Sequence, residues 1–352
     1  MAGLTNTTQL ANSLQVHFSK QLLDRIIPSL VFHEFAFRSP LPGKSGSKSI
    51  RMFRFDAPSI AGVIGGPLNA TPLLEGTPAD ASTYRQLSLE YIEVPLKQYI
   101  QTIAITDVAD ATSLFNLIEQ ANTQNAEDAA LHCDTVTQFE LAKQSGSETG
   151  GLNYANKKFF YGDGLADYTA LDAAADATAI MTAETILDAA TALKVANAPK
   201  ISGTYVAALP PQITRDIMAG SGTNTTWVDV SKYSAKEQLF NGEVGKLYGI
   251  KVLEHTNPYR SAATPPGTDP ATNYNPAGAI FSGFVFGRHA YGVSDLKTLG
   301  SPFAPGVFVV SGADKSDPAN LIRALVSWKA FWAAKLLQPK WLVHIFTKSG
   351  YA

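Results

Sequence analysis

The chain reads as an α+β protein, and three observations carry that reading. A long run of helical spacing opens near Asp107 and continues to about Ala142. Two strand-like runs, 49–55 and 84–94, are separated by about thirty residues rich in Gly and Pro. Beyond residue 183 helical and strand-like runs mix to about 300, and the last stretch returns as aromatic-rich strands.

Taken in order, residues 1–19 are polar, with Thr and Asn, and form an expected loose terminus. From Phe18 to Phe37 apolar residues recur at helical spacing, through Leu22, Leu23, Ile26, Ile27, Leu30 and Val31. Pro28 should kink or end a helix near Ile27. PLPGKSGSKS (40–49) reads as a turn or linker. SIRMFRF (49–55) and YRQLSLEYIEV (84–94) have the β-branched and aromatic content of strands. The Gly/Pro-rich stretch between them makes a long, projecting hairpin. A structureless loop of that length does not suit a compact domain unless it lies on a neighbouring molecule.

Thr106 or Asp107 can cap the helix that follows, with Asp110 near its positive end. Leu114, Leu117, Ile118, Ala121, Ala129, Cys133, Val136 and Phe139 form its stripe. A helix over 108–143 would be about 50 Å long at about 1.5 Å per residue. Residues 145–181 look irregular, rich in Gly, Asp and Ala. Thr182 caps a predicted helix over 183–196 with Ile186, Leu187, Ala190 and Leu193 on its apolar face. TYVAALPP (204–211) is a buried strand ending at proline, followed by a short helix, QITRDIMAG. KLYGIKVLEH (246–255) and GAIFSGFVFGRHAYGV (278–293) read as strands. Residues 308–311 and 321–346 return as long strands bearing Trp328, Phe331, Trp332 and Trp341, which should rejoin the long helix.

The 352 residues suffice for one large or two ordinary domains, and 45% apolar content builds a real core. Only 16% of residues are charged. Few charges with many Ala, Thr, Gly and Pro fit a surface that meets other protein; an Ala/Thr-rich monomer has the same composition. The net charge of −2 gives no overall basic footprint for nucleic acid. Along the chain the balance is uneven. Residues 1–54 hold Lys20, Arg25, Arg38, Lys44, Lys48, Arg51 and Arg54 against Asp24 and Glu34, a net +5. Residues 55–96 hold Arg85 against Asp56, Glu75, Asp80, Glu90 and Glu93, a net −4, and residues 97–145 are a net −5. Such blocks suit docking between copies of one chain, or are solvated faces. Lys44, Lys48, Arg51, Arg54, Glu75, Glu90 and Glu93 are therefore the candidate intersubunit contacts. Cys133 is the single cysteine, so no intrachain disulfide forms, which fits synthesis in a reducing cytoplasm. The N-terminus lacks the basic and apolar regions of a signal peptide, and no run reaches eighteen apolar residues, so no membrane span is expected.

Chemistry-bearing motifs are weak. GKS (43–45) invites a phosphate-loop reading, but the glycine required five positions earlier is Arg38. His17, His33, His132, His255, His289 and His344 are scattered singly. His132, Cys133 and Asp134 are adjacent, yet neighbours on a helix point in different directions and cannot share a metal. Asp107 and Asp110 could form a carboxylate pair, but helix capping explains both. The Trp328, Phe331 and Trp332 stripe reads as core or interface rather than a base-stacking platform. No catalytic, cofactor or metal residue is assigned.

Six segments together resemble a known family. They are KQLLDRIIPSLVFHEFA (20–36), PLLEGTP (72–78), QYIQTIAITD (98–107), GEVGKLYGIKVLEHTNP (242–258), VFGRHAYGVSDL (285–296) and DPANLIRALVSWKAFWAAKLLQPKWLVHI (317–345). Their order and spacing resemble the major capsid proteins of tailed bacteriophages with the Hong Kong 97-type fold, most closely the phage N-four branch, over roughly residues 20–350. One departure is Ile100, where the family often has glycine after the tyrosine; it bears on a local backbone bend. The resemblance implies an N-terminal arm (1–45), an extended loop (46–96), and a peripheral domain with the spine helix and an irregular insertion (97–182). An axial α/β domain (183–307) and return strands of the peripheral domain (308–352) complete it.

It further implies a non-enzymatic shell protein. Its hexamers and pentamers would build an icosahedral virion head around double-stranded DNA, contacted non-specifically, assembled in the host cytoplasm and with no membrane. Scaffolding, portal and decoration proteins are possible partners. About forty-five residues before the extended loop leave no room for a long N-terminal scaffolding segment, so a separate scaffold or none is implied. Some relatives lock their shells with a Lys–Asn bond, but residues 55–96 contain no lysine to form it. The alternatives are a nanocompartment shell of the same fold, which would need a cargo-docking helix, and an α+β enzyme without a recognisable motif.

Overall fold

The computed structural model describes residues 31–42, 47–55, 75, 89–113, 115–148, 152–176, 178–219, 243–261, 264–296, 306–310 and 323–351. The expected terminal helix up to Leu30, the turn holding Lys44, and most of the long loop lie outside the described residues.

From the N-terminal side come a short helix α1 (Phe32–Phe35) and strand β1 (Phe37–Arg38), then β2 (Ser49–Phe55), β3 (Leu89–Pro95) and β4 (Lys97–Thr106). Helices α2 (Asp107–Thr112) and α3 (Leu117–Ala142) follow, then β5 (Ser147–Glu148), β6 (Leu152–Asn153), β7 (Lys158–Tyr161), α4 (Tyr168–Ala173) and α5 (Ala183–Val195). Next are β8 (Tyr205–Leu209), α6 (Pro211–Ala219), β9 (Glu243–Leu247), β10 (Ile250–Glu254), β11 (Arg260–Ser261) and α7 (Pro270–Asn273). The chain closes with β12 (Ile280–Phe286), β13 (Tyr291–Asp295), β14 (Gly306–Val310), β15 (Arg323–Leu336) and β16 (Leu342–Thr347).

The expected single spine over 108–143 is two helices. Thr106 does cap the first, its hydroxyl accepting from the Ala109 N–H at 3.3 Å. Ser113 then turns extended, and its hydroxyl takes the Phe115 N–H at 3.1 Å. Asn116 starts the second helix by accepting from the Glu119 N–H at 3.3 Å. Short polar side chains that bond the nearby backbone compete with helix continuation, and two of them flank this break. The 26 residues of α3 span about 39 Å at about 1.5 Å per residue.

Two sheets organise the rest. In the first, β15 is central: β4 pairs along one edge, and β14 and β13 pair along the other, with β1 outside β13. Along β15, Ala324, Val326, Trp328, Ala330 and Trp332 are buried, and Leu325, Ser327, Lys329 and Phe331 between them are half-exposed. The buried set packs on α3 through Ala129 and Cys133. The period of two therefore splits the aromatic stripe: Trp328 and Trp332 face the helix, and Phe331 faces away.

The second sheet runs β7-β16-β12-β8-β10-β9, with β11 beside β12. β8, β12 and β16 are buried at every position, as suits central strands covered on both faces. One cover is α5 and α6, through Ile186, Ala189, Ala190, Leu193, Ile213 and Ile217. The other holds Phe32, Leu141, Tyr154 and Tyr259 against Val206, Ala208, Phe284 and Phe286. Leu187, expected on the apolar face of α5, is instead exposed, and Ala189 takes the buried place.

Three strand readings change. KLYGIKVLEH contains the hairpin β9–β10, turned at Tyr248 and Gly249, whose φ of 50° and 84° are the left-handed pair a two-residue turn requires. GAIFSGFVFGRHAYGV divides between the sheets, β12 in the second and β13 in the first. The stretch 145–181 is not irregular throughout: β7 joins the second sheet beside β16, and α4 is capped by Asp167. Strand 342–347, expected to return beside the spine, likewise pairs with β12 and β7, because the chain breaks at Pro339 and changes sheet.

Candidate assembly surfaces

Four of the sequence-predicted contact residues, Arg51, Arg54, Glu90 and Glu93, lie on the hairpin β2–β3. Its register runs from Ser49 opposite Pro95 to Phe55 opposite Leu89, which sets Arg51 opposite Glu93 and Arg54 opposite Glu90. Directly opposed side chains in antiparallel strands are neighbours, so each opposite-charge pair closes within the chain. Arg51 Nε lies 3.5 Å from Glu93 Oε2, and its guanidinium sits 4.7 Å over the Tyr91 ring. The Ser49 hydroxyl donates to the same carboxylate at 2.6 Å. Arg54 Nε donates to Glu90 Oε2 at 2.8 Å. Its Nη1 reaches the Leu337 carbonyl at 3.1 Å and Gln338 Oε1 at 2.9 Å. Arg54 thus ties the hairpin to the turn between β15 and β16. The exposed Arg51 pair contributes about 0–1 kcal/mol. Lys48 and Glu75 are exposed, and Lys44 lies outside the described residues.

The first sheet leaves its other face open. β4 presents Ile100, Thr102 and Ala104 there, β15 presents Leu325, Ser327, Lys329 and Phe331, and β14 presents Phe308. Ile100 is 61% exposed and Phe308 41%. Lys329 is the one cation among these side chains and lies over the Phe331 ring at 5.0 Å. An exposed sheet face this poor in charge is the kind of surface that another protein covers.

At the other end of α3, a charged cluster is buried. Glu140 takes Lys143 at 2.7 Å and Lys335 at 3.7 Å, and accepts from the Tyr154 hydroxyl. Lys157 Nζ donates to the Leu141 carbonyl at 2.7 Å and to the Lys143 carbonyl. Burial holds its ammonium down at about 7 despite the nearby Glu140. Upstream on the same helix, Asp134 accepts from the Phe32 N–H at 3.1 Å, and the Tyr291 hydroxyl donates to the Phe32 carbonyl at 2.7 Å. Burial pushes Asp134 up to about 6. Phe32 is thus fixed between α3 and Tyr291. The sequence reading found the apolar stripe of this helix but not its buried polar face, which also includes Asn125 and Gln138. They donate to the carbonyls of Val326 at 2.8 Å and Asn257 at 2.6 Å.

His132, His344 and the cysteine have packing roles. His132 packs on Tyr99 and Trp328, with ring centroids 4.5 and 5.4 Å away, while Asp134 points to the arm. Burial, with the nearby Asp295 and Asp134, raises the Cys133 thiol to about 12, so it stays protonated. His344 is buried between Phe284 and Phe346, and burial pushes it well below its ordinary value. Asp107 bonds the Val108 N–H at 2.8 Å, a helix-start role. Among the described residues there is no group of three His, Cys, Asp or Glu placed to hold a metal, and no helix long and apolar enough to cross a membrane.

No family model and no curated protein matches the sequence. Solved structures do share the fold. The capsid of cyanophage P-SCSP1u aligns at TM-score 0.67 with 15% identity, covering 99% of this chain and 98% of that one. The capsid of Ralstonia phage GP4 aligns at 0.64 with 12% identity over 95% of each chain. The cyanophage Pam1 capsid aligns at 0.64 with 15% identity over 100% of each. The helix α3 over one sheet, the buried second sheet and the hairpin belong to a fold that this chain shares with these phage capsid structures.

Proposed function

We propose that the chain is the major capsid protein of a tailed bacteriophage. Many copies form hexamers and pentamers that close into an icosahedral head shell around double-stranded DNA, and the protein resides in the virion. Near-complete alignment with capsid subunits, 99% of this chain on 98% of the P-SCSP1u chain, carries the reading. The work is done by interfaces rather than a catalytic site. Each can be modest, because closed symmetry makes many copies reinforce one another. The sheet carrying the spine corresponds in this reading to the peripheral domain, and the buried sheet to the axial domain. Lys44, Lys48, Arg51, Arg54, Glu75, Glu90 and Glu93 are the side chains proposed to meet neighbouring copies. Scaffolding, portal and decoration proteins and the phage N-four branch belong to the same reading.

Electron microscopy and light scattering of the purified protein, with and without scaffold, test it. Capsomers or megadalton shells are expected. A monodisperse monomer across salt and concentration, above all one with catalytic turnover, would sink the proposal.

A further inference from the structure

Three segments far apart in sequence meet around a groove of about 460 Å³. Arg38 comes from β1, Lys200 from the stretch after α5, and Arg288 from the crossover between β12 and β13. Glu34 is the one acid lining it. His289 and Ser202 add polar groups.

The backbone that presents these cations is tightly built. A Cβ on Gly287 would meet the Pro199 carbonyl oxygen at 2.7 Å, so the crossover approaches 198–200 as only glycine permits. The Arg288 N–H then donates to the same carbonyl at 2.8 Å, which sets Arg288 beside Lys200. His289 is held at φ 60°, a left-handed conformation uncommon for a non-glycine residue, with its ring 5.0 Å from Phe37. Ser202 and Gly203 make a second left-handed turn, bridged between Ile201 and Thr204. Lys200 and Arg288 remain exposed on this frame. A chain of net charge −2 has gathered three cations around one concavity.

We propose that this groove binds backbone phosphates of duplex DNA, without reading its sequence. Guanidinium forks match phosphate geometry, and phosphate contacts position a duplex without specifying it. Three cations against one acid around a single concavity make a local positive field that matches a polyanion. The proposal deepens the capsid reading and rests on it for the source of the duplex. An acidic patch of a second copy, such as the pocket lined by Asp163, Glu184 and Asp188, is the competing occupant.

The test is fluorescence anisotropy of a labelled random-sequence duplex with purified subunits, across potassium chloride concentrations. Wild type should bind with a salt-dependent affinity. The double variant Lys200→Ala, Arg288→Ala should bind more weakly, and its slope of log affinity against log salt should shrink by about 1.8, at about 0.9 per lost phosphate contact. Its melting temperature and empty-shell assembly should be unchanged. The charge-keeping pair Lys200→Arg, Arg288→Lys should restore most of the affinity. Equal binding by wild type and the alanine variant overturns the proposal, as does no binding by wild type or no rescue by the charge-keeping pair. Lost shell assembly with intact DNA affinity assigns the groove to a contact between copies. Wild type that never forms shells defeats the capsid reading, while subunit affinity still decides the groove.

Discussion

Lys157 carries its ammonium into the interior and gives it to the carbonyls of Leu141 and Lys143. These belong to the end of α3, where a helix runs out of internal donors, so the lysine acts as a C-terminal cap from outside the helix. Burial holds its pKa at about 7, against an ordinary 10.5. The unfolded chain therefore binds more protons than the folded one between those values, and stability rises with pH across that window. One such group supplies at most about 1.4 kcal/mol per pH unit. Chemical denaturation of the subunit from pH 7 to 9.5 should show this rise, and Lys157→Met should flatten it. A variant that gains stability as steeply as wild type would assign the effect elsewhere. Little of this cluster was legible in the sequence. Lys143 stands three residues after Glu140, which helical spacing alone brings together. Tyr154, Lys157 and Lys335 arrive from other elements, and NYANKKFF has no periodicity to announce them. The hairpin charges were legible as blocks of opposite sign, but the partners were not. Register made Arg51–Glu93 and Arg54–Glu90 internal pairs.

Elements whose signals are local were read well. Thr106 and Thr182 cap the helices expected of them, and β8 ends at Pro210. The break in the spine was missed because Leu117, Ile118 and Ala121 keep helical spacing beyond it, and periodicity outweighed the polar residues at 113 and 116. Asn116 with Glu119 three positions on is itself a helix-start signal, and the two side chains meet at 3.3 Å. Asn116→Ala should therefore cost the subunit about 1 kcal/mol and speed amide exchange in the first turn of α3. Denaturation and exchange mass spectrometry would measure both. An unchanged exchange rate there would mean that contact with the sheet, not the cap, sets where α3 begins. Non-local pairing explains the other misses. Nothing within GAIFSGFVFGRHAYGV states that β12 and β13 join different sheets, because their partners (β8, β11 and β16 for β12, β1 and β15 for β13) lie elsewhere in the chain.

Across the whole molecule, the proposed capsid role assigns stability and assembly to different parts. The two sheets, the spine and the clusters between them bury the core within one chain. The open face of the first sheet contributes little to that core, and the hairpin adds Ile92 and Val94 to it. The hairpin keeps its register through seven opposed residue pairs and is tied to the body by Arg54. None of these pairs or ties uses residues 60–82, which apart from Glu75 lie outside the described residues. Deleting 60–82 and joining the ends with a short Gly/Ser linker should therefore leave a folded subunit. Shortening a loop by this much changes its closure entropy by only about 1 kcal/mol, since that cost grows with the logarithm of length. Shell formation should nevertheless stop, because the Gly/Pro-rich sequence of this stretch is expected to find its packing partner on a neighbouring copy. Circular dichroism and denaturation would follow the subunit, and electron microscopy the shells. A deletion that unfolds the subunit would make the loop part of its own core. A deletion that still assembles would move the burden of assembly to the open sheet face, where Ile100 and Phe308 would be the side chains to change next.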